Sequence, residues 1–107
     1  AVRVIRVSDA RGYFNRLRGY MFRRAGDVNS ALLFRNCQSV HTCFMLFDLS
    51  LYVLNEDGVV LQIEHHIKPW RMRFYRQGAH IVEAPSSQLK KIGFSDVREG
   101  HKINVDR

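Results

Sequence analysis

The sequence predicts an all-β domain: a β-sandwich or open barrel of mostly antiparallel strands, carrying two short helices. Three observations predict it. Short β-rich runs recur along the chain, among them "VRVIRV", "ALLF", "VVLQIEHHI" and "IVEAP". The segment "NEDG", residues 55–58, separates the two longest of these runs and ends in a glycine able to take φ > 0. Helical spacing appears only in two short stretches, each followed by a glycine.

In chain order, "VRVIRV" reads as a first strand. Ser8 and Asp9 have N-cap chemistry, and Tyr13, Leu17 and Tyr20 follow near helical spacing, so "ARGYFNRLR" reads as a helix that Gly19 would stop. "RRAGDVNS" is a loop. "ALLF", residues 31–34, is a short buried strand closed by the turn-prone "RNCQS".

Residues 40–54 read as one strand. Alternation sends His41, Cys43, Met45, Phe47, Leu49, Leu51 and Val53 to one face, and both faces are largely apolar, as in a strand covered on both sides. With the turn at Asn55–Gly58 and the return strand "VVLQIEHHI", this makes an antiparallel hairpin over residues 44–63, with Phe44, Phe47 and Leu51 buried. "KPWRMRFYRQGAH" reads as a loop opened by Pro69. "IVEAP" is a strand ended by Pro85. Ser86 or Ser87 would cap the helix "SQLKKI", which Gly93 terminates, and "HKINV" is the last strand.

The chain has 107 residues, of which 46% are hydrophobic, and this suits a single domain over residues 1–107 with one core. No apolar run approaches the roughly 20 residues needed to span a bilayer. "AVRVIRV" alternates charge with small β-formers and has no apolar h-region, so no signal peptide is expected and the expected compartment is the cytoplasm. Cys37 and Cys43 are too few for a disulfide scaffold, and an extended segment would hold them roughly 20 Å apart, so both are expected as free thiols.

The net charge of +7 is concentrated. Residues 1–35 hold eight arginines against Asp9 and Asp27, and a second cluster is Lys68, Arg71, Arg73 and Arg76. Such a balance favours anionic partners: nucleic acid, acidic protein surfaces or phospholipid.

Three segments resemble a known family, the bacterial and archaeal domain of unknown function 192. "RLRGYMFR", residues 16–23, resembles its Arg-Gly-Leu-Met-Phe-Arg segment, with Tyr20 in place of leucine. "SVHTCFMLFDLSLYVLNEDGVV" resembles its central hairpin, and "KPWR…GAHIVEAPSS…IG" its later Pro-Trp and Leu-Glu-Leu-Pro-Ala-Gly segments. The resemblance covers nearly the whole chain. It implies an all-β, sandwich-like fold with short helices and no established activity, some members being linked to secretion or cell-envelope systems. The family's Pro-x-Asp falls on Asp48-Leu49-Ser50, so Ser50 stands where the family carries aspartate, and the family's final Gly-Asp becomes Gly100-His101.

The candidate chemistry is sparse. His41 and Cys43, two apart on a strand, would stand about 6.5–7 Å from each other, too far for a thiolate–imidazole pair. His65 and His66, adjacent in a strand, would point to opposite faces and could not easily share a metal. No metal, cofactor or catalytic residue is assigned. Glu83, flanked by core residues, is expected in an ion pair with Arg18 or Arg71.

These observations favour a non-enzymatic binding module that engages a protein segment or a small anionic ligand at a shallow rim formed by His41, Thr42, Trp70, Arg71 and Glu83. His41 would act there as an oriented hydrogen-bonding residue, with Thr42 tying two neighbouring segments together. One alternative is a hydrolase using His41 with Asp48 or Glu83. The other is a non-specific nucleic acid binder that sets Arg16, Arg18, Arg23, Arg24, Arg73 and Arg76 beside exposed aromatic rings, although no RNA-reading signature is present.

Overall fold

A computed structural model describes residues 2–3, 7–9, 24–28, 30–43 and 45–103. Nine strands are described: β1 (Val2–Arg3), β2 (Val7–Asp9), β3 (Ala31–Phe34), β4 (Ser39–His41), β5 (Leu49–Leu54), β6 (Val60–Ile67), β7 (Met72–Phe74), β8 (His80–Pro85) and β9 (Lys102–Ile103). Among the described residues there is one short α-helix, α1 (Leu89–Ile92), which follows a 3-10 turn at Ser86–Gln88, and a second 3-10 turn covers Ala25–Asp27.

The main sheet has five strands in the order β2-β3-β8-β5-β6. Its pairings are antiparallel except β2–β3, and two-stranded ribbons β4–β7 and β1–β9 accompany it, the first antiparallel and the second parallel. The fold is therefore predominantly β and mostly antiparallel, and among the described residues the sheet is open, with β2 and β6 as its edges.

Central strands β5 and β8 are buried along their whole length, because both sheet faces are covered. On one face Tyr52, Leu54, Val82 and Ala84 pack with Phe94, Val97 and Ile103 and with Leu89 and Ile92 of α1. Tyr52 and Phe94 meet edge to face at 5.0 Å. On the other face Leu49, Leu51, Val53 and Ile81 pack under Val40, Met45 and Tyr75 from the β4–β7 side. Apolar residues at both alternating positions of β5 thus mark a strand with a core on each side.

The hairpin forms as the sequence indicates. Asn55 accepts the Gly58 amide, and Gly58 takes φ 87°. The Asn55 side chain also accepts the amides of Asp57 and Val59. Gly93 likewise closes α1 in the left-handed region at φ 95°.

Several expectations are corrected. Residues 40–54 do not run as one strand, because β4 ends at His41 and β5 begins only at Leu49. Thr42 causes the break: its carbonyl accepts the Met45 and Trp70 amides, which pulls the backbone out of a ladder. The supposed loop after Pro69 contains β7, paired with β4. Ser8 and Asp9 end β2, and the helix expected at "ARGYFNRLR", with its caps, lies outside the described residues. No side chain caps the Ser86–Gln88 turn or α1. Phe47 is only half-buried against its core, and Phe44 lies outside the described residues.

Candidate binding face

The β4–β7 ribbon presents one face to the sheet and the other to solvent. Its register pairs Ser39 with Phe74, Val40 with Arg73 and His41 with Met72. Directly opposed residues share a side. Val40 is buried in the core under the ribbon. The neighbouring pairs therefore face outward, and Met72 and Phe74 are 77% and 66% exposed.

Thr42 ties this ribbon to the segment after β6. Its Oγ1 donates to the Lys68 carbonyl at 2.7 Å and accepts the Arg71 amide at 2.8 Å. Its amide donates to the Arg71 carbonyl at 2.8 Å, and its carbonyl accepts the Trp70 amide at 3.1 Å. Thr42 is 1% exposed, so these bonds are shielded from water. They hold Trp70 at φ 64°, a left-handed conformation costly for a bulky residue, with its side chain 59% exposed.

Four of the five rim residues are therefore brought together: His41, Thr42, Trp70 and Arg71. The His41 ring accepts the Cys43 amide at its Nδ1, 3.3 Å away. Arg71 is exposed and donates to the carbonyls of Pro69 and Trp70. Glu83 stands apart from this knot, on central strand β8 opposite Leu32 and Leu51. It is 4% exposed, and burial pushes its carboxyl up to about 8. Of its two expected partners, Arg71 belongs to the knot and Arg18 lies outside the described residues, as do Arg16 and Arg23. Arg24 and Arg76 are exposed.

Arg73 is engaged within the protein. Its Nε donates to Glu64 Oε2 at 2.8 Å, and Tyr75 donates to Glu64 Oε1 at 2.8 Å. Burial would raise the Glu64 carboxyl, but the bonds from Arg73 and Tyr75 outweigh it and hold the group below its ordinary range. The same carboxylate, added to burial, pushes the Tyr75 phenol up. Sequence reasoning missed this triad because its members lie on different strands; only the pairing of a strand acid with a crossing strand's arginine could have signalled it.

A second polar cluster sits at the far end of β5. Leu49 pairs with Ile67 and Leu51 with Glu64, so His65 and His66 together oppose Ser50 in a β-bulge. His66 takes φ 56° there. The bulge cancels the expected alternation, and the two imidazole rings lie 6.3 Å apart. Ser50, fully buried, contacts His65 Nδ1 at 2.9 Å and Ser86 Oγ at 2.8 Å. Asp48 meets Lys68 at 3.4 Å and His66 at 4.0 Å. Among the described residues no group of three or more His, Cys, Asp or Glu side chains is arranged to hold a metal. Cys37 and Cys43 are both free thiols. No helix among the described residues is long and apolar enough to cross a membrane.

Comparison with known proteins gives a family and a fold. The model of the family DUF192, described as "Uncharacterized ACR", matches residues 1–105. No curated protein matches the chain. A solved structure from Sinorhizobium meliloti 1021, provisionally assigned as a transcription regulator, superposes with TM-score 0.70 at 21% identity, covering 88% of this chain and 76% of that one. A protein of unknown function from Novosphingobium aromaticivorans DSM 12444 superposes with TM-score 0.67 at 17% identity, covering 90% of this chain and 71% of its own.

Proposed function

The chain belongs to DUF192, a family without an assigned activity, and on that footing we propose that it is a binding module that docks an acidic protein segment on the outer face of the β4–β7 ribbon. The observation that carries this reading is the exposure of Met72 and Phe74 on the ribbon's outward side, Met72 opposite His41, with exposed Trp70 two residues before Met72 in the chain. Large apolar side chains set side by side in water mark an interaction surface. Exposed Arg71 follows Trp70 in the chain and exposed Arg76 lies two residues beyond Phe74, which suits a partner with acidic residues around an apolar anchor. The Thr42 knot fixes the face in advance, so little ordering remains to be done on binding.

The hydrolase alternative asks for His41 beside a carboxylate. The described bond of the His41 ring is to the Cys43 amide, while Asp48 meets Lys68 and His66. In the nucleic acid alternative Arg73 would bring a charge already shared with Glu64, which takes its Nε at 2.8 Å. The likeness to the assigned regulator, at 21% identity, bears on the fold alone.

The test is selection of a random peptide library on the immobilised protein. Enrichment of acidic sequences with an apolar anchor, lost on a Trp70→Ser, Met72→Ser double variant that still folds, is the expected result. No enrichment, or enrichment unaffected by the double variant, overturns the reading.

A further inference from the structure

An open groove of about 410 Å³ lies between edge strand β6 and strand β7. Val53, Leu61, Gln62, Phe74, Tyr75 and Arg76 are among the residues that line it. We infer that this groove is a binding site for a small apolar carboxylate, whose carboxylate would meet Arg73 and Arg76 while its hydrocarbon part packs between Phe74 and Leu61. The inference goes beyond the peptide-docking reading and does not depend on it.

Charge is the first argument. Glu64, the groove's acid, has both oxygens engaged, one by Arg73 and one by Tyr75. Its charge is therefore answered within the wall. Arg73 uses Nε on Glu64 and Nη1 on the Met72 carbonyl, which leaves the N–H bonds of Nη2 for a ligand. Held at two points, the guanidinium is an oriented fork of the kind that grips carboxylates. Arg76 adds an exposed cation on the same lining. Beyond the Glu64–Arg73 pair the lining keeps Arg76 as its surplus cation, while Arg73 keeps its Nη2 N–H bonds as donors.

Shape and rigidity are the second. Leu61 is the extra residue of a register shift between the pairs Val53–Gln62 and Leu54–Val60, and the bulge leaves it 40% exposed. Phe74 faces the same space with most of its ring in water. The opposite turn is clamped: the Gln38 amide donates to the Arg76 carbonyl at 2.8 Å and to the Gly78 carbonyl at 3.0 Å. At Gly78 an added Cβ would lie 2.6 Å from Val53 Cγ1, so glycine lets the turn sit down on the sheet. The volume falls in the range of small-molecule sites, about 300–1,000 Å³, and Gln62 and Gln77 add amide groups for orientation.

The experiment is titration of the isotope-labelled chain with phenylpropionate, followed by nitrogen-edited NMR, with phenylpropionamide as the uncharged control. Saturable shifts are expected at Gln62, Phe74, Gln77 and the Arg73 side-chain N–H. The amide and an Arg76→Glu variant should each bind about tenfold more weakly, the loss of one charge-assisted contact. A Trp70→Ser variant should bind phenylpropionate as the parent does, which separates this groove from the ribbon's outer face. Equal affinity for the amide, shifts confined to other surfaces, or no saturation at concentrations on the order of 10 mM overturns the inference.

Discussion

Ser50 Oγ lies 2.9 Å from His65 Nδ1, and it does so because two residues of β6 oppose one of β5. The bulge turns the His65 ring over the end of the strand, where the ring also meets Tyr52 edge-on at 6.0 Å. Ser86 continues the chain of bonds by accepting the His66 amide at 3.2 Å. A fully buried hydroxyl thus pins an exposed, irregular strand edge.

Ser50→Ala should cost about 1–2 kcal/mol, the price of one buried hydrogen-bonding group. His65→Ala should cost less, because His65 is exposed and Ser50 keeps Ser86 as a partner. Urea unfolding of the two variants checks the order, and amide exchange at His66 should quicken in the first. A larger loss for His65→Ala would show that the ring, and not the hydroxyl, holds the bulge.

Leu51→Ala should destabilise the domain by about 2–5 kcal/mol, since Leu51 is fully buried on a central strand and its removal leaves a cavity. Phe47→Ala should cost less despite the larger side chain, because Phe47 is only half-buried. Denaturant midpoints read at constant m-value decide the ranking.

Glu83 should make stability fall as pH rises. Its folded carboxyl titrates at about 8 against an ordinary value of 4.5, so between those values the unfolded chain gives up a proton that the folded chain keeps. The group's full contribution is present below about pH 4.5 and is lost as pH climbs through 8, at a slope no steeper than about 1.4 kcal/mol per pH unit. Glu83→Gln preserves shape without the titration. It should flatten the melting temperature between pH 5 and 8, roughly the window of the shift; a variant that keeps the parent's slope would assign the pH dependence elsewhere.

Gly78→Ala should be destabilising by about 1–3 kcal/mol, from overpacking against Val53 Cγ1 at 2.6 Å. Val53→Ala, costly alone, should recover part of that loss when combined with it. Additive effects in the double-mutant cycle would contradict the contact.

The hairpin was legible because alternation on both sides of "NEDG" and a glycine at its end point the same way. Strands β3 and β8 were legible for the same reason: "ALLF" and "IVEAP" are apolar runs bounded by turn formers. The break at Thr42 was hidden, since a pattern apolar on both faces looks identical whether the chain runs straight or turns. Strand β7 was hidden because "RMRF" mixes cations with large apolar residues, the pattern of a ribbon with one face wet. The bulge at His65–His66 lay beyond any period-2 reading, which assumes one residue opposite one. At the candidate face, Thr42 and Trp70 carried a signal in their types and in the preceding Pro69. The Glu64–Arg73–Tyr75 triad was hidden, because it exists only once two separate strands cross.

The parallel pairing of β1 with β9 sets Val2 against Lys102 and Arg3 against Ile103. On a ribosome the chain emerges from the β1 side, so β1 waits for its partner until nearly every other strand has been made. Closing so wide a loop comes late and slows folding. In the interval the β1 backbone is an open edge, available to a neighbouring nascent chain as readily as to its own β9. Crowded synthesis is therefore a condition under which this domain would be expected to exchange strands.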